Sequence, residues 1–439
     1  MADRVRPEPI RLLEVELSEP LCDIVARTGD GRHYRRARAL VRLHDHPLGL
    51  VELPLGTDGV EAAEVERRIE EALAPAIARH LARDGHVARV AAAGSEPPPC
   101  RAERARFRTA APFATVAVAT HDRAESLADC LDSLLALDYP HYEIVIVDNA
   151  PSTPRTRDLI AARFAGEPRV HYLREDRRGV AAAHNRALGA ARGSIVAFTD
   201  DDVVVDRLWL LELAAGFTAA PDVACVTGLI LPRELETPVQ LWLDEHWGFS
   251  KGFERRLFDL HAHRPPDRLF PYAAGLFGSG ANMAFRTDIL RCAGGFDAAT
   301  GAGSPARGGD DLAAFFGVVA AGHTLVYEPA AIVHHRHRPD YASLCAHSFG
   351  YGVGLTAYLT KTVVDEPRRS LDLARRAPAG AVHAFAPRSP ANTRRPPGLP
   401  QVLATLECAG SAYGPIAYLR ARRMLRRSAT HASGAGRST

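Results

Sequence analysis

Four short runs of β-branched and other apolar residues alternate with stretches of helical periodicity in the middle of the chain. The runs are Ala114–Ala119, Tyr142–Val147, Arg169–Leu173 and Gly193–Thr199. Alternation of this kind predicts parallel strands joined by crossover helices, in which both faces of the sheet are covered. Because such connections bring the carboxyl ends of the strands to one edge, the residues after each run should line a common crevice. The sequence therefore predicts a doubly wound α/β sheet.

Acidic residues follow two of these runs. Asp200, Asp201 and Asp202 come directly after the fourth run, and Asp148 follows the second. Like charges within ~4–6 Å disfavour one another's ionisation, so a divalent cation that also holds phosphate oxygens would relieve an acidic strand end. The triplet alone is equally compatible with a solvated turn. Asp148 alone fits either an acceptor for a nucleoside or a turn or N-cap residue.

Composition limits the classes of protein to consider. The chain has 439 residues, 46% of them hydrophobic, which predicts two or three globular domains. Its formal charge of +2 argues neither for nor against nucleic acid, and we expect no nucleic-acid partner. Its cysteines stand singly without CxxC spacing, as is typical of reduced thiols. No window approaches ~18 uninterrupted apolar residues and no signal-peptide core is present, so we expect a cytoplasmic protein with no membrane span.

Changes in composition predict five segments. They are a small N-terminal α+β domain (1–90), a Pro- and Ala-rich linker (91–112), the α/β domain (113–340), a helical C-terminal region (341–427) and a disordered tail (428–439). Gly350, Gly352 and Gly354 lie in the predicted helix after residue 340, where such spacing indicates close packing or a hinge.

Two groups of histidines invite a metal hypothesis. His33, His44 and His46 lack the Cys/His spacing of a zinc site, and we interpret them as surface or turn residues. His334, His335 and His337 follow an apolar run, and a strand there would point them to both faces. One metal ligand from the second group is more plausible than three.

Between Ala114 and Arg338, about half of the chain, ordered motifs resemble those of bacterial-type family 2 glycosyltransferases of the GT-A fold. The matching segments are Thr120-His-Asp-Arg123, Val147-Asp-Asn149, Gly179-Val-Ala-Ala-Ala-His-Asn-Arg186, Asp200-Asp-Asp202 (the DXD motif), Gly278-Ser-Gly-Ala-Asn-Met-Ala-Phe-Arg286, Gly294-Gly-Phe-Asp297 and Gly309-Asp-Asp-Leu312. The resemblance implies a mixed doubly wound sheet with helices on both faces. It also implies transfer of a sugar from a nucleotide-diphosphate sugar to a hydroxyl acceptor.

The resemblance further implies individual roles. The nucleotide sugar would be bound by Thr120, Asp122, Arg123, Asp148, Gly179, Asn185, Asp200 and Asp201. A Mn²⁺ or Mg²⁺ ion would be held by Asp200, Asp202 and His335. Asp311 would be the catalytic base, with Asp310 as the alternative, and Gly280 and Asn282 would lie on the acceptor side. One-step displacement would invert the anomeric configuration.

The sequence departs from the family pattern at three positions and leaves two other functions open. Ala119 replaces a usual proline, Asp310 a usual glutamate and Ala313 a frequent aspartate. A sugar nucleotidyltransferase would need a Gly-rich loop after the first strand, and Thr120–Ala124 contains no glycine. A non-catalytic nucleotide-sugar-binding or scaffold protein is the second alternative, which the retained acidic residues disfavour.

The last predicted helix is basic. Tyr418–Arg427 combines apolar residues with Arg422, Arg423, Arg426 and Arg427. A solvated terminal helix and a peripheral contact with the inner face of an anionic membrane both fit this pattern.

Overall fold

The structure, a computed structural model, describes residues 8–85, 96–385 and 399–435. Its strands are β1 (Arg11–Glu16), β2 (Ile24–Val25), β3 (Arg36–Leu43), β4 (His46–Pro54), β5 (Gly59–Val60), β6 (Ala114–Thr120), β7 (Tyr142–Asn149), β8 (Val170–Glu175), β9 (Ile195–Asp200), β10 (Val203–Val205), β11 (Val223–Pro232), β12 (Arg256–Phe258), β13 (Asn282–Arg286) and β14 (Thr324–His335). Its helices are α1 (Ala62–Arg83), α2 (Pro99–Thr109), α3 (Ala124–Leu135), α4 (Arg155–Arg163), α5 (Val180–Ala190), α6 (Trp209–Gly216), α7 (Pro238–Trp247), α8 (Thr287–Cys292), α9 (Asp310–Ala320), α10 (Tyr341–Asp365), α11 (Arg369–Phe385) and α12 (Gln401–Ala435).

The first described elements form an α+β unit. Strand β3 lies between β1, which runs parallel to it, and β4, which forms an antiparallel hairpin with it. Alternate residues of β3 and β4, among them Val41 and Leu53, bury their side chains against Ile69 of α1. Arg42 of β3 pairs with Asp206, so this unit lies against the larger sheet.

The segment predicted as a linker contains a helix. Helix α2 spans Pro99–Thr109, with Pro98 as its N-cap residue. Proline is tolerated at the first helical position because its missing N–H has no intrahelical partner there. The run of prolines therefore leads into a helix start, and Pro98 itself has the extended angles φ −51° and ψ 144°. Residues 91–95 of the predicted linker lie outside the described residues.

The larger sheet is mixed and has the order β10-β14-β11-β13-β9-β6-β7-β8, with β12 pairing with β14. Strands β9, β6, β7 and β8 are mutually parallel, as their apolar runs predict. Strand β13 runs antiparallel to both of its neighbours. The predicted α/β class with a doubly wound mixed sheet is confirmed.

Helices cover both faces of this sheet. Along β6, Val116 and Val118 contribute to a buried cluster that includes residues of α3 and α6. Ala117, which points to the opposite face, contributes to a second cluster with residues of α5 and α9. Alternate residues of one strand thus pack into two different cores, one on each face of the sheet. This explains why the strand runs are apolar throughout.

The C-terminal region is helical, as predicted, but its last helix is longer than expected. Helix α12 continues to Ala435, whereas residues 428–439 were predicted to be disordered. Arginine, alanine and methionine, which recur after residue 420, lose little side-chain entropy in a helix, so the helix propagates into the Ser-containing end. Residues 436–439 lie outside the described residues. No helix in the described ranges is long and apolar enough to cross a membrane.

Glycines bring α10 and α12 into close contact. A Cβ atom at Gly352 would clash with the carbonyl oxygen of Glu407 and lie 2.7 Å from the backbone nitrogen of Ser411. A Cβ atom at Gly410 of α12 would clash in the same way with the carbonyl of Phe349. The glycine spacing predicted from the sequence therefore corresponds to close helix packing.

Replacing Gly352 with alanine should lower the free energy of unfolding by ~1–3 kcal/mol, because the added methyl group overpacks this contact. The matched control is Gly189→Ala in α5, where an added Cβ atom meets nothing within 4 Å. That change should be neutral or stabilise the protein by up to ~1 kcal/mol through helix propensity. Chemical denaturation of both variants tests the contact, and equal stability of the two would contradict it.

Candidate functional site

The acidic residues predicted to share a crevice do meet at one edge of the sheet. In the parallel registers of β6, Thr120 lies opposite Asp148 of β7, and Ala119 lies opposite Asp200 of β9. These positions are the carboxyl ends of three adjacent parallel strands. The prediction that the strand ends converge is therefore confirmed by the sheet register.

Strand pairing also brings His335 to the acidic strand end. After Asp202 the chain enters β10, which pairs antiparallel with the end of β14 so that Val203 lies opposite His335. His335 Nε2 lies 3.3 Å from Asp202 Oδ1. Together with Asp200, these two residues place three possible metal-ligand atoms within 4.8 Å of one another.

The three carboxylates differ in their electrostatic surroundings. Burial and the neighbouring Asp202 raise the pKa of Asp200 to about 6. Burial also acts to raise the pKa of Asp202, but the adjacent His335 imidazole, together with Arg123, outweighs it and lowers this pKa to about 2. Burial acts to lower the pKa of His335, but Asp202 and Asp200 raise it above its ordinary value. Asp202 is thus held as a carboxylate between two positive groups.

Both carboxylate oxygens of Asp201 accept hydrogen bonds from side chains of the protein, those of Thr120 and Arg123. It is buried, and it accepts a hydrogen bond from Thr120 Oγ1 at 2.8 Å and one from Arg123 Nη1 at 2.9 Å. The same Arg123 nitrogen donates to Asp202 Oδ2 at 2.9 Å. Arg123 therefore bridges two members of the acidic triplet.

Asp148 keeps one oxygen without a partner. Tyr172 donates its hydroxyl to Asp148 Oδ2 at 2.9 Å, whereas the buried Oδ1 has no hydrogen-bond partner among the described residues. Burial raises the pKa of Asp148 above its ordinary value. A buried acceptor that lacks a donor is unfavourable by ~1–3 kcal/mol, so this atom is suited to a donor from a ligand.

Asp311 lies at the start of α9 beside the predicted acceptor segment. Its Oδ2 accepts the N–H of Gly280 at 2.9 Å, and its Oδ1 accepts the N–H of Leu312 at 2.8 Å. Burial and the adjacent Asp310 raise the pKa of Asp311 to about 6, with a further contribution from the charge of Asp200. Asn282, two residues after Gly280, lies opposite Thr199 of β9, so Asp311 contacts a segment at the same end of β9 as the acidic triplet.

The neighbouring Asp310 has a different environment. It is buried, and its Oδ2 lies 3.6 Å from Nδ1 of the buried His184. Glycine at position 309 has a φ of 86°, which lets the chain turn sharply into α9 and separates the directions of the two carboxylates.

Four other residues with predicted roles make contacts within the protein. The amide of Asn185 bonds to the backbone N–H and carbonyl of Phe296, at 2.8 and 2.7 Å. The fully buried Asn282 donates to the carbonyls of Leu229 and Ala331 and accepts from Trp209 Nε1. Asp122 accepts from Ser152 N and Oγ, and Gly179 N donates to Asn149 Oδ1. The amides of Asn185 and Asn282 bond to backbone groups of the protein, and we therefore leave these two residues out of the proposed ligand site.

Two aromatic residues of α10, His347 and Tyr351, were not among the residues predicted for the site. Burial raises the pKa of Tyr351, and the charge of Asp311 contributes to the same shift. Its ring is parallel to that of Trp247, with centroids 6.3 Å apart, and His347 meets its edge at 4.4 Å. Because α10 follows the α/β domain, only the folded chain places Tyr351 beside a residue forty positions earlier.

Comparison with known proteins relates part of this chain to a family. Residues 115–292 match the family model described as glycosyl transferase family 2. This segment is therefore similar to family 2 glycosyltransferases. The match includes β6 to β9, β13 and the acidic triplet.

Curated relatives of the domain differ in length and in name. A pre-mycofactocin glycosyltransferase of Mycobacterium tuberculosis is 28% identical over 239 residues, which are 54% of this chain and 46% of that protein. A glucosyl-dolichyl phosphate glucuronosyltransferase of Haloferax volcanii is 24% identical over 250 residues, 54% of this chain and 74% of that protein. The chain thus spans about half the length of the Mycobacterium relative.

Among solved structures, a mannosyltransferase of Pyrobaculum calidifontis in complex with GDP-Man and Mn²⁺ is 23% identical to this chain. The superposition covers 74% of this chain and 81% of that one, with a TM-score of 0.45.

Proposed function

We propose that this protein transfers a sugar from a nucleotide-diphosphate sugar to a hydroxyl acceptor, with a divalent cation and with inversion at the anomeric carbon. The observation that carries the proposal is the pairing, in one crevice of a domain similar to family 2 glycosyltransferases, of the Asp202–His335 cluster with a second carboxylate, Asp311, of different pKa. Displacement at a sugar carbon needs such an arrangement, because the leaving phosphate and the attacking hydroxyl lie on opposite sides of the ring.

The ligand set suits Mn²⁺ or Mg²⁺. Asp202 Oδ1 is buried and has no hydrogen-bond partner among the described residues, although His335 Nε2 lies 3.3 Å away. Two carboxylates and one imidazole, from Asp200, Asp202 and His335, form an oxygen-rich donor set of the kind these cations prefer. A bound cation would neutralise charge on the leaving diphosphate and act there as a Lewis acid.

The chain's own residues would position the donor. Asp148 Oδ1 is available to accept a hydrogen from the nucleoside. Arg123, held by Asp201 and Asp202, adds a fixed positive charge near the position expected for the diphosphate. Gly179 starts α5 with a φ of 129°, a conformation that favours glycine, and this leaves the backbone open to the ligand.

Asp311 is the proposed base. At neutral pH a carboxyl group of pKa about 6 is mostly ionised, yet it is more basic than an exposed aspartate. Each of its oxygens accepts one backbone N–H, which fixes its orientation and leaves lone pairs for the hydroxyl proton. Asp310, close to His184, would support α9 and the orientation of its neighbour.

Peripheral membrane contact is a second part of the proposal. On α12, Ile416, Leu419 and Arg423 recur at helical spacing and are exposed. Arg422, in contrast, lies over the ring of Tyr418 and 3.6 Å from Asp365, so it faces the protein. An exposed apolar and basic face of this kind favours contact with an anionic lipid surface, where a lipid-linked acceptor would be found.

Replacing Asp202 with asparagine should weaken Mn²⁺-supported binding of a nucleoside diphosphate at least about tenfold, or ~1.4 kcal/mol, because a charged ligand is lost. Titration calorimetry with and without Mn²⁺ measures the effect. The control is Asp132→Asn, which removes an exposed carboxylate paired with Arg163. Unchanged metal-dependent affinity in the Asp202 variant would exclude this metal site.

Replacing Asp311 with asparagine should lower kcat at least about a hundredfold, or ~2.7 kcal/mol, because the proton acceptor is lost. Binding of the nucleoside diphosphate should change little. Asp310→Asn should have a milder effect on kcat. A dead Asp310 variant beside an active Asp311 variant would assign the base to Asp310, and normal turnover by both would exclude this segment as the catalytic one.

The pH profile gives an independent check on the same base. Since protonation inactivates the base, kcat/KM of the wild type should fall tenfold per pH unit below about pH 6, the pKa of Asp311. The residual activity of Asp311→Asn should lack this limb. An acid limb of the same midpoint in both proteins would place the titrating group elsewhere.

Flotation with anionic vesicles tests the membrane contact. The wild type should float at low ionic strength and less at high salt, since surface charges are screened. Ile416→Asp combined with Leu419→Asp should abolish flotation, whereas Leu371→Asp on the exposed face of α11 should not. A wild type that stays at the bottom of the gradient would exclude the contact and identify α12 as a solvated helix.

A further inference from the structure

A second cluster of metal-ligand atoms lies in the N-terminal unit, away from the crevice. Among the described residues, His44, His80, Asp84 and Cys100 bring one nitrogen, oxygen or sulfur atom each to within 4.8 Å of the others. Three of the four residues are buried, and Cys100 is partly buried. They come from three separate elements: the β3–β4 turn, the end of α1 and the start of α2.

The separations between these atoms are close to those of a tetrahedral metal site. With zinc bonds of ~2.0–2.1 Å to nitrogen or oxygen and ~2.3 Å to sulfur, tetrahedral ligand atoms lie about 3.3–3.6 Å apart. His80 Nε2 lies 3.3 Å from His44 Nδ1, 3.4 Å from Asp84 Oδ2 and 3.8 Å from Cys100 Sγ. Asp84 Oδ2 is nearer to His44 Nδ1 and Cys100 Sγ, at 2.9 and 2.8 Å, as hydrogen bonds from an imidazole and a thiol require.

The two imidazoles make their polar contacts only through the nitrogens that face the cluster. His44 Nε2 and His80 Nδ1, on the outer sides of the rings, are buried and have no hydrogen-bond partner among the described residues. His44 Nδ1 and His80 Nε2, in contrast, each lie within 3.4 Å of Asp84 Oδ2. All four side chains direct an atom inward to a common point.

The backbone around the cluster supports the same arrangement. His44 and Asp45 occupy the hairpin turn with φ values of 55° and 67°, which non-glycine residues adopt at a cost of about 1–3 kcal/mol each. Both turn N–H groups donate to the carboxylate of Glu16, at 2.9 Å each. Asp84 Oδ1 accepts the N–H of Cys100 at 3.1 Å, which leaves Oδ2 as the single oxygen that faces the cluster.

We propose that His44, His80, Asp84 and Cys100 form a structural zinc site. Four protein ligands of mixed nitrogen, oxygen and sulfur type complete a tetrahedral shell with no open position, as is typical of structural and not of catalytic zinc. On binding, the proton of the Cys100 thiol passes to solvent and the thiolate sulfur bonds to the metal.

The position of this site gives it a role in joining the two units. Helix α2, in which Cys100 is the second residue, leads directly to β6 of the α/β domain. Its Arg104 pairs with Glu212 of α6 at 2.6 Å and donates to the carbonyl of His44 at 3.3 Å. A metal at the start of α2 would therefore fix the N-terminal unit to the helix that precedes the catalytic sheet.

Zinc content and cobalt spectroscopy test this proposal. Both are measured on the Asp202→Asn variant, in which the cluster of Asp200, Asp202 and His335 has lost one ligand. We expect about one zinc ion per chain by plasma mass spectrometry. Replacement of zinc by Co²⁺ should give the absorption bands of tetrahedral cobalt and a thiolate-to-cobalt charge-transfer band. Removal of the metal by a chelator should lower the Tm by ~5 °C or more, and added zinc should restore it.

Variants then identify the sulfur ligand. Cys100→Ser should lose the charge-transfer band, whereas Cys408→Ser, at an exposed free cysteine, should retain it. If Cys100→Ser does not fold, Cys100→His should keep tetrahedral cobalt and lose only the sulfur band. A charge-transfer band that is absent from the parent chain, or that persists without Cys100, would overturn the proposal.

Discussion

The antiparallel pairing of β10 with the end of β14 is the constraint on which the proposed site depends. It places His335 beside Asp202, and it does so through backbone hydrogen bonds that no single side chain can replace. His334, one residue earlier, faces the other side of the sheet, where its Nε2 lies 3.4 Å from Glu14 Oε1 of the N-terminal unit. The N-terminal unit thus contacts β14, the strand that supplies the proposed metal ligand His335.

Two carboxylates of one crevice acquire different chemistry from different surroundings. Arg123 and His335 hold the pKa of Asp202 near 2, so that it stays ionised and can serve as a cation ligand. Asp311 is buried beside another carboxylate, Asp310, and its pKa rises to about 6 although two backbone N–H groups act to lower it. Separation of pKa values within one site is the arrangement expected where one group binds charge and another accepts a proton.

The parallel strands of the sheet could be predicted from sequence because their residues are buried on both faces and are therefore apolar without interruption. The acidic strand ends could also be predicted, since residues that follow parallel strands reach one edge of the sheet. The direction of a polar side chain could not be predicted. Asn185 and Asn282 have the residue types that the family motifs require, yet tertiary contacts turn both amides into the core.

Features that depend on distant residues were missed for the same reason. Tyr351 lies on α10, which follows the α/β domain in sequence and packs closely against α12 through glycines. His44 and Cys100 are separated by most of the N-terminal unit, so their spacing resembles no local zinc motif. The prolines before α2 have the composition of a linker, and only the folded chain distinguishes a helix start from an extended segment.

The central claim is that Asp200, Asp202 and His335 hold the cation that supports the donor diphosphate. Anomalous diffraction from crystals grown with Mn²⁺ and a nucleoside diphosphate tests it most directly. We predict an anomalous peak in contact with Asp202 and His335 and with the diphosphate oxygens, on the side of the crevice away from Asp311. A bound nucleotide without a peak at these residues, or a peak beside Asp311 instead, would contradict the account.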